Sequence, residues 1–86
     1  MHRIIRVAIE SGYVLRVWFE SGQTGIFDVE PYLTGRVFEP LKDPTFFGQV
    51  QIDEIAGTVY WPNGADFCPD VIYEAAISGV SSSSRT

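Results

Sequence analysis

The sequence predicts an α+β domain: an antiparallel sheet of about five strands, made of two hairpins plus a third N-terminal strand, with short helices on one face. Three observations predict it. Apolar and polar residues alternate through two consecutive runs near the N-terminus, and Ser-Gly pairs separate those runs. The middle of the chain then loses the period under Pro31, Gly35, Pro40, Pro44 and Gly48.

Each element follows in order. Ile5, Val7 and Ile9 alternate with Arg6, Ala8 and Glu10, which reads as a first strand. Ser11-Gly12 supplies a residue able to take positive φ in a tight hairpin. Tyr13, Leu15, Val17 and Phe19 then alternate with Val14, Arg16, Trp18 and Glu20, with Leu15, Val17 and Phe19 on the expected core face. Ser21-Gly22 repeats the turn, and residues 23–29 read as the third strand. Arg16 and Glu20 mark the opposite face, and Trp18 lies with them. A Trp on the polar face of a sheet is either covered by another element or is a contact surface.

Two short helical pieces fit the irregular middle. One spans Pro31 to Leu33, with Pro in its first turn; the other starts at Asp43-Pro44, an N-cap followed by Pro, and runs through Phe46-Phe47. The apolar residues of Val37-Phe38-Glu39-Pro40-Leu41, between them, are expected to plug one edge of the core. Residues 50–55 and 58–61 read as a second hairpin around Ala56-Gly57, closed by Pro62-Asn63-Gly64. Pro69 opens a last helix with Ile72, Tyr73, Ala76 and Ile77 on one stripe. Residues 1–78 are therefore expected to form a single small domain, and 79–86 a disordered Ser-rich tail.

Composition bounds the function. A chain of 86 residues buries only about 60–65% of its unfolded surface, enough for one core and no deep enclosed pocket. Six Phe, four Tyr and two Trp supply that core without cross-links. One Cys forms no intramolecular disulfide, and one Cys with one His (His2) builds no zinc site, so no metal or cofactor is expected. The N-terminal stretch has no apolar h-region and no segment is long enough to span a membrane, which reads as a soluble cytoplasmic protein. The net charge of −5 opposes a phosphate backbone, although Arg3, Arg6 and Arg16 cluster in the first sixteen residues.

Four constellations could carry chemistry or binding. Asp66, Cys68 and Asp70 alternate beside a helix start, where a thiolate is favoured. A thiol nucleophile still needs a base, and the one His is at position 2. The structural reading gives every residue a place: Cys68 at the N-cap, Pro69 at the first helical position, Asp70 in the first turn, and Asp66 as the acceptor inside the preceding turn. Asp28 and Glu30 read as caps of a Pro-led turn, and Asp53-Glu54 as a charged strand edge. Arg3, Arg6 and Arg16 could form a stripe on one face of the first hairpin, paired across strands with Glu10 and Glu20 or free for binding. Arg6, Arg16 and Trp18 are the candidate interaction surface.

Several segments together resemble a known family. They are Leu15-Arg16-Val17-Trp18-Phe19-Glu20-Ser21-Gly22, Asp28-Val29, Phe38-Glu39-Pro40-Leu41, Asp43-Pro44-Thr45-Phe46-Phe47, Val59-Tyr60-Trp61-Pro62-Asn63-Gly64-Ala65-Asp66 and Ile72-Tyr73. In order and spacing they are similar to the small bacterial family termed domain of unknown function 2442. The resemblance spans Arg3 to Tyr73, with Ile72 where the family usually has Leu. Gly22, Asp28, Trp61, Asn63, Gly64 and Asp66 are its structural signature. The resemblance implies a small α+β fold that in some proteins precedes a helix-turn-helix domain. It also implies gene neighbours of another uncharacterised family, domain of unknown function 4160, in arrangements like toxin–antitoxin pairs. It implies no catalytic residue.

The sequence thus points to a non-enzymatic protein-interaction domain, an antitoxin-like partner of a small basic protein or a homodimer. Two alternatives stand beside it: a small enzyme centred on Asp66, Cys68 and Asp70, and a nucleic-acid-associated regulator using Arg3, Arg6 and Arg16. The chain shows no helix-turn-helix pattern of its own, which argues against the second.

Overall fold

A computed structural model describes residues 2–76. The expected tail at 79–86, and Ile77 at the end of the last helical stripe, lie outside the described residues. The fold is α+β with five strands, as the alternation predicts, but the strands divide into one sheet of three and one of two. Strand β1 (Ile4–Ser11) pairs antiparallel with β2 (Val14–Phe19), and β2 with β3 (Thr24–Asp28). Strands β4 (Gln51–Asp53) and β5 (Thr58–Tyr60) form the second hairpin. The hairpin joins the larger sheet end-on: the Ile4 N–H donates to the Gly57 carbonyl at 2.9 Å.

Leu15, Val17 and Phe19 are fully buried on alternate positions of β2, as period two requires. Strand β1 departs from the expected alternation. A bulge between Ile4 and Arg6 gives the strand one extra residue against β2, so Ile4 reaches the core and Ile5 turns to solvent. One inserted residue is enough, because each step along a strand reverses the side chain.

The segment from Glu30 to Gly48 covers the core face with short turns of helix. A 3₁₀ turn at Glu30–Tyr32 matches the expected piece led by Pro31. Helix α1 (Gly35–Phe38) was not legible from the period and is followed by a 3₁₀ turn at Glu39–Lys42. Helix α2 (Pro44–Phe47) starts as expected, with the Asp43 carboxylate accepting from the Thr45 N–H at 3.0 Å. Helix α3 occupies residues 69–76 among those described. Its Ile72 and Ala76 are buried, and the Cys68 carbonyl accepts from the N–H groups of Val71 and Ile72. Cys68 thus holds the N-cap position the sequence reserves for it.

These pieces enclose one core on one face of the three-stranded sheet, which includes Leu15, Val17, Phe19, Phe27, Leu41, Phe47, Trp61, Phe67 and Ile72. The molecule measures 33 × 32 × 19 Å, and its short dimension is that of two packed layers. Phe67 is the aromatic junction. Its ring lies 5.1 Å from Phe27, 5.1 Å from Phe38, 5.3 Å from Tyr32 and 6.1 Å from Trp61. The contacts with Phe27, Tyr32 and Trp61 are edge-on, a geometry that adds to simple burial, and the Phe38 ring lies tilted.

Candidate interaction face

The family-like segment Trp61–Asp66 is part of the scaffold. Trp61 is fully buried, and its indole Nε1–H donates to the Phe47 carbonyl at 2.9 Å. The chain then doubles back. The Gly64 N–H donates to the Trp61 carbonyl, the Trp61 N–H donates to the Ala65 carbonyl, and Gly64 sits at φ 93°, which suits glycine. Asn63 holds this turn from both ends of its amide. Oδ1 accepts from the Ala65 N–H at 3.1 Å, and Nδ2 donates to the Val37 carbonyl at 2.8 Å, tying the turn to α1.

This corrects the role expected for Asp66. The acceptor inside the turn is Asn63, and among the described residues the Asp66 carboxylate accepts no hydrogen bond; Asp66 contributes a backbone bridge to Tyr60. The geometry yields an expected result. Asn63→Ala should lose about 1–2 kcal/mol in urea unfolding, since two backbone partners are left unpaired, while Asp66→Ala should stay within about 0.5 kcal/mol of wild type. Equal losses in the two variants would contradict the assignment.

Cys68 and Asp70 are exposed beside Asp66. Among the described residues no three His, Cys, Asp or Glu side chains are grouped closely enough to hold a metal ion. His2 is stacked on Tyr73, with ring centroids 3.5 Å apart. Asp28 caps its turn as expected, accepting from the Glu30 N–H at 3.0 Å. Asp53, expected as a charged strand edge, instead accepts from the N–H groups of Ile55 and Ala56 and shapes the second hairpin.

The three arginines do not form one stripe. Arg3 leaves the sheet and donates to the carbonyls of Glu54 and Ile55, with its stem against Gly57. It is a clamp between the start of β1 and the second hairpin. The bulge after Ile4 separates it from the other two. Arg6 and Arg16 do share a face, because Arg6 stands opposite Trp18 and Arg16 opposite Ala8. The Arg6 guanidinium lies over the Trp18 ring at 4.8 Å. Arg16 makes a two-pronged pair with Glu10, at 2.8 and 3.1 Å, whereas Glu20 takes no part. The hydrogen bond from Arg16 holds the Glu10 carboxyl below the usual carboxylate range, with the guanidinium charge adding to it. A lowered carboxyl stays ionised until the pH falls through its folded value, so the pair persists through neutral pH and is lost only in acid.

The face that results is amphipathic. Trp18, Val14 and Ile26 are half-buried on it, and none of them belongs to the core or packs against it. Arg6, Arg16 and Glu10 stand among them. A Trp with its neighbouring guanidinium is the kind of anchor that dominates protein interfaces. The aromatic signal was legible in the sequence; the Arg6–Trp18 contact needed the register of β1 on β2.

Comparison with solved structures gives a close match in fold. A crystal structure of a candidate DNA-binding protein from Nitrosomonas europaea superposes with a TM-score of 0.82 at 27% identity, covering 94% of this chain and 52% of that one. The chain thus spans about half the length of that protein. No curated protein matches the sequence. No helix among the described residues is long and apolar enough to cross a membrane. The sequence profile of one family matches residues 4–78, and the chain belongs to that family, the proteins of unknown function DUF2442.

Proposed function

We propose that this domain is a non-enzymatic protein-binding module that recognises its partner through the outer face of the three-stranded sheet. One observation carries the reading: Trp18 sits half-buried on the solvent side of the sheet, held by Arg6 and flanked by Arg16, Val14 and Ile26. Keeping a large aromatic ring there serves no core contact. The partner that fits is a small basic protein, such as the product of a flanking gene in an antitoxin-like pair. The net charge of −5 would speed its approach, and Trp18 would anchor it.

A second reading, association with nucleic acid, is favoured by the name given to the Nitrosomonas europaea protein. Arg6 and Arg16 are the cations available for it on this face. One set of measurements separates the two. Co-purification with the flanking gene product should recover a complex, and Trp18→Ala should weaken it by about tenfold to thirtyfold, the 1.4–2 kcal/mol of an anchor residue, at unchanged melting temperature. Recovery of no complex at low or moderate salt overturns the protein-partner reading. Binding to duplex DNA that falls steeply with salt, and falls less steeply in Arg16→Glu, would put the nucleic-acid reading in its place.

A further inference from the structure

We infer that β1 is a self-pairing edge through which two copies of this chain join their sheets into one. Strand β1 lies at the edge of the sheet order β1-β2-β3. It is the longest strand among the described residues, at eight residues; it carries no Pro or Lys, and its two bulges leave the stretch Arg6–Ile9 regular enough to pair. The second hairpin packs against it and hydrogen-bonds it at its start, where the Ile4 N–H meets the Gly57 carbonyl. Past that point Ile5 is 57% and Ile9 42% exposed.

Geometry restricts how a second copy can add there. An antiparallel pair of identical strands related by a two-fold axis normal to the sheet keeps each face on its own side, so residues that meet must have the same parity. Centring the axis on Ala8 satisfies this. Arg6 then stands opposite Glu10 of the second copy, Val7 opposite Ile9, and Ala8 opposite itself. Both charged pairs are of opposite sign, the apolar pair lies on the core side, and the smallest side chain sits at the axis. Moving the axis to Val7 would instead place Arg6 opposite Ala8 and leave Glu10 without a cation across the seam. Arg6 and Glu10 are both on the outer face, as their contacts with Trp18 and Arg16 show. Glu10 already pairs with Arg16, and a carboxylate has lone pairs left for a second guanidinium. The seam would thus complete a row running Arg16, Glu10, Arg6, Trp18 in both directions.

The two bulges bound the regular part of β1 to Arg6–Ile9, with Glu10 at the second bulge, so the seam is short and its charged pairs sit at its two ends. An interface of that size falls below the roughly 1,200 Å² of standard complexes, and the dimer is concentration-dependent. The inference concerns the sheet's edge, whereas the proposed function concerns its face, so either can fail while the other stands. A dimer would place two Trp18 faces on the same side of a six-stranded sheet.

Sedimentation equilibrium of the full chain tests it. Wild type should self-associate to twice the chain mass below about 1 mM. Arg6→Glu brings two Glu residues together twice, and Glu10→Arg brings two Arg residues together twice, so each variant alone should lose affinity by about tenfold or more. Mixed in equal amounts, the two variants restore opposite charges at both positions, and the mixture should regain association. Melting temperatures of the single variants confirm that they fold. As a second readout, Ala8→Cys in a Cys68→Ser background should cross-link across the axis under oxidation, and Ile5→Cys should not. A monomeric wild type at the highest concentration, single variants that associate as wild type does, or folded variants whose mixture stays monomeric would each overturn the seam.

Discussion

Trp61→Ala should lose about 3–5 kcal/mol in urea unfolding followed by far-ultraviolet circular dichroism, the largest single-residue effect expected in this chain. Trp61 is among the largest fully buried side chains, and it packs on Phe47 at 5.7 Å between ring centroids and on Phe67 at 6.1 Å. Removing it opens a cavity at the junction of α2, β5 and the aromatic cluster. Domains of this size have roughly 5–15 kcal/mol in total, so the variant should be partly unfolded at 37 °C. Trp61→Phe separates packing from hydrogen bonding. It keeps an aromatic ring but removes the Nε1–H donor, leaving the Phe47 carbonyl only its longer bond from Val50 at 3.3 Å. Its loss should be about 1–2 kcal/mol. Trp61→Ala within about 1 kcal/mol of wild type would show that the site collapses without cost, contrary to its packing.

Gly25→Ala should destabilise by about 1–3 kcal/mol, although Ala is ordinarily the better strand residue by about 0.5–1 kcal/mol. The close approach of α3 reverses the sign. A Cβ built on Gly25 would lie 2.7 Å from the Ala76 Cβ, well inside contact distance, and a Cβ has no flexible side chain by which to swing aside. Gly25 stands opposite Val17 on the core face of β3, so the glycine lets the helix lie directly on the strand. Ala76→Gly removes the opposing methyl at a propensity cost of about 1 kcal/mol. The double variant should therefore be less destabilised than the two single losses added together, a coupling readable in a double-mutant cycle. Strict additivity would mean that the two positions do not meet.

Much of the fold was readable from local pattern. Strand β2 alternates without interruption, and all three of its expected core residues are buried. Asp43-Pro44 and Cys68-Pro69 start helices where the capping chemistry places them. Strand β1 was readable as a strand but not in its facing, because a bulge leaves no mark in apolar alternation: Ile4 and Ile5 are equally apolar, and the pairing partner decides which is inside. Helix α1 was not readable, since four residues give less than two turns of periodicity.

The candidate site divides in the same way. Trp18 was conspicuous because a large aromatic among polar positions breaks a pattern. Its contact with Arg6 depends on which residues of two strands stand opposite each other. Arg3 looked equivalent to Arg6 and Arg16 in sequence, yet its side chain reaches residues more than fifty positions away. Asn63 and Asp66 were both chemically able to hold the Trp61–Asp66 turn; only the path of the backbone places the Ala65 N–H and the Val37 carbonyl around Asn63.

Local pattern was enough for the α+β class, the strand count, the helix starts at Asp43-Pro44 and Cys68-Pro69 and the core face of β2, because periodicity and capping act over a few neighbouring residues. Long-range contacts set the division into two sheets, the inward turn of Ile4, the separation of Arg3 from Arg6 and Arg16, and the role of Asn63. Those outcomes turn on register and on contacts between residues far apart in the chain. A one-residue bulge or a single helix approach selects among side chains that are equivalent in local chemistry.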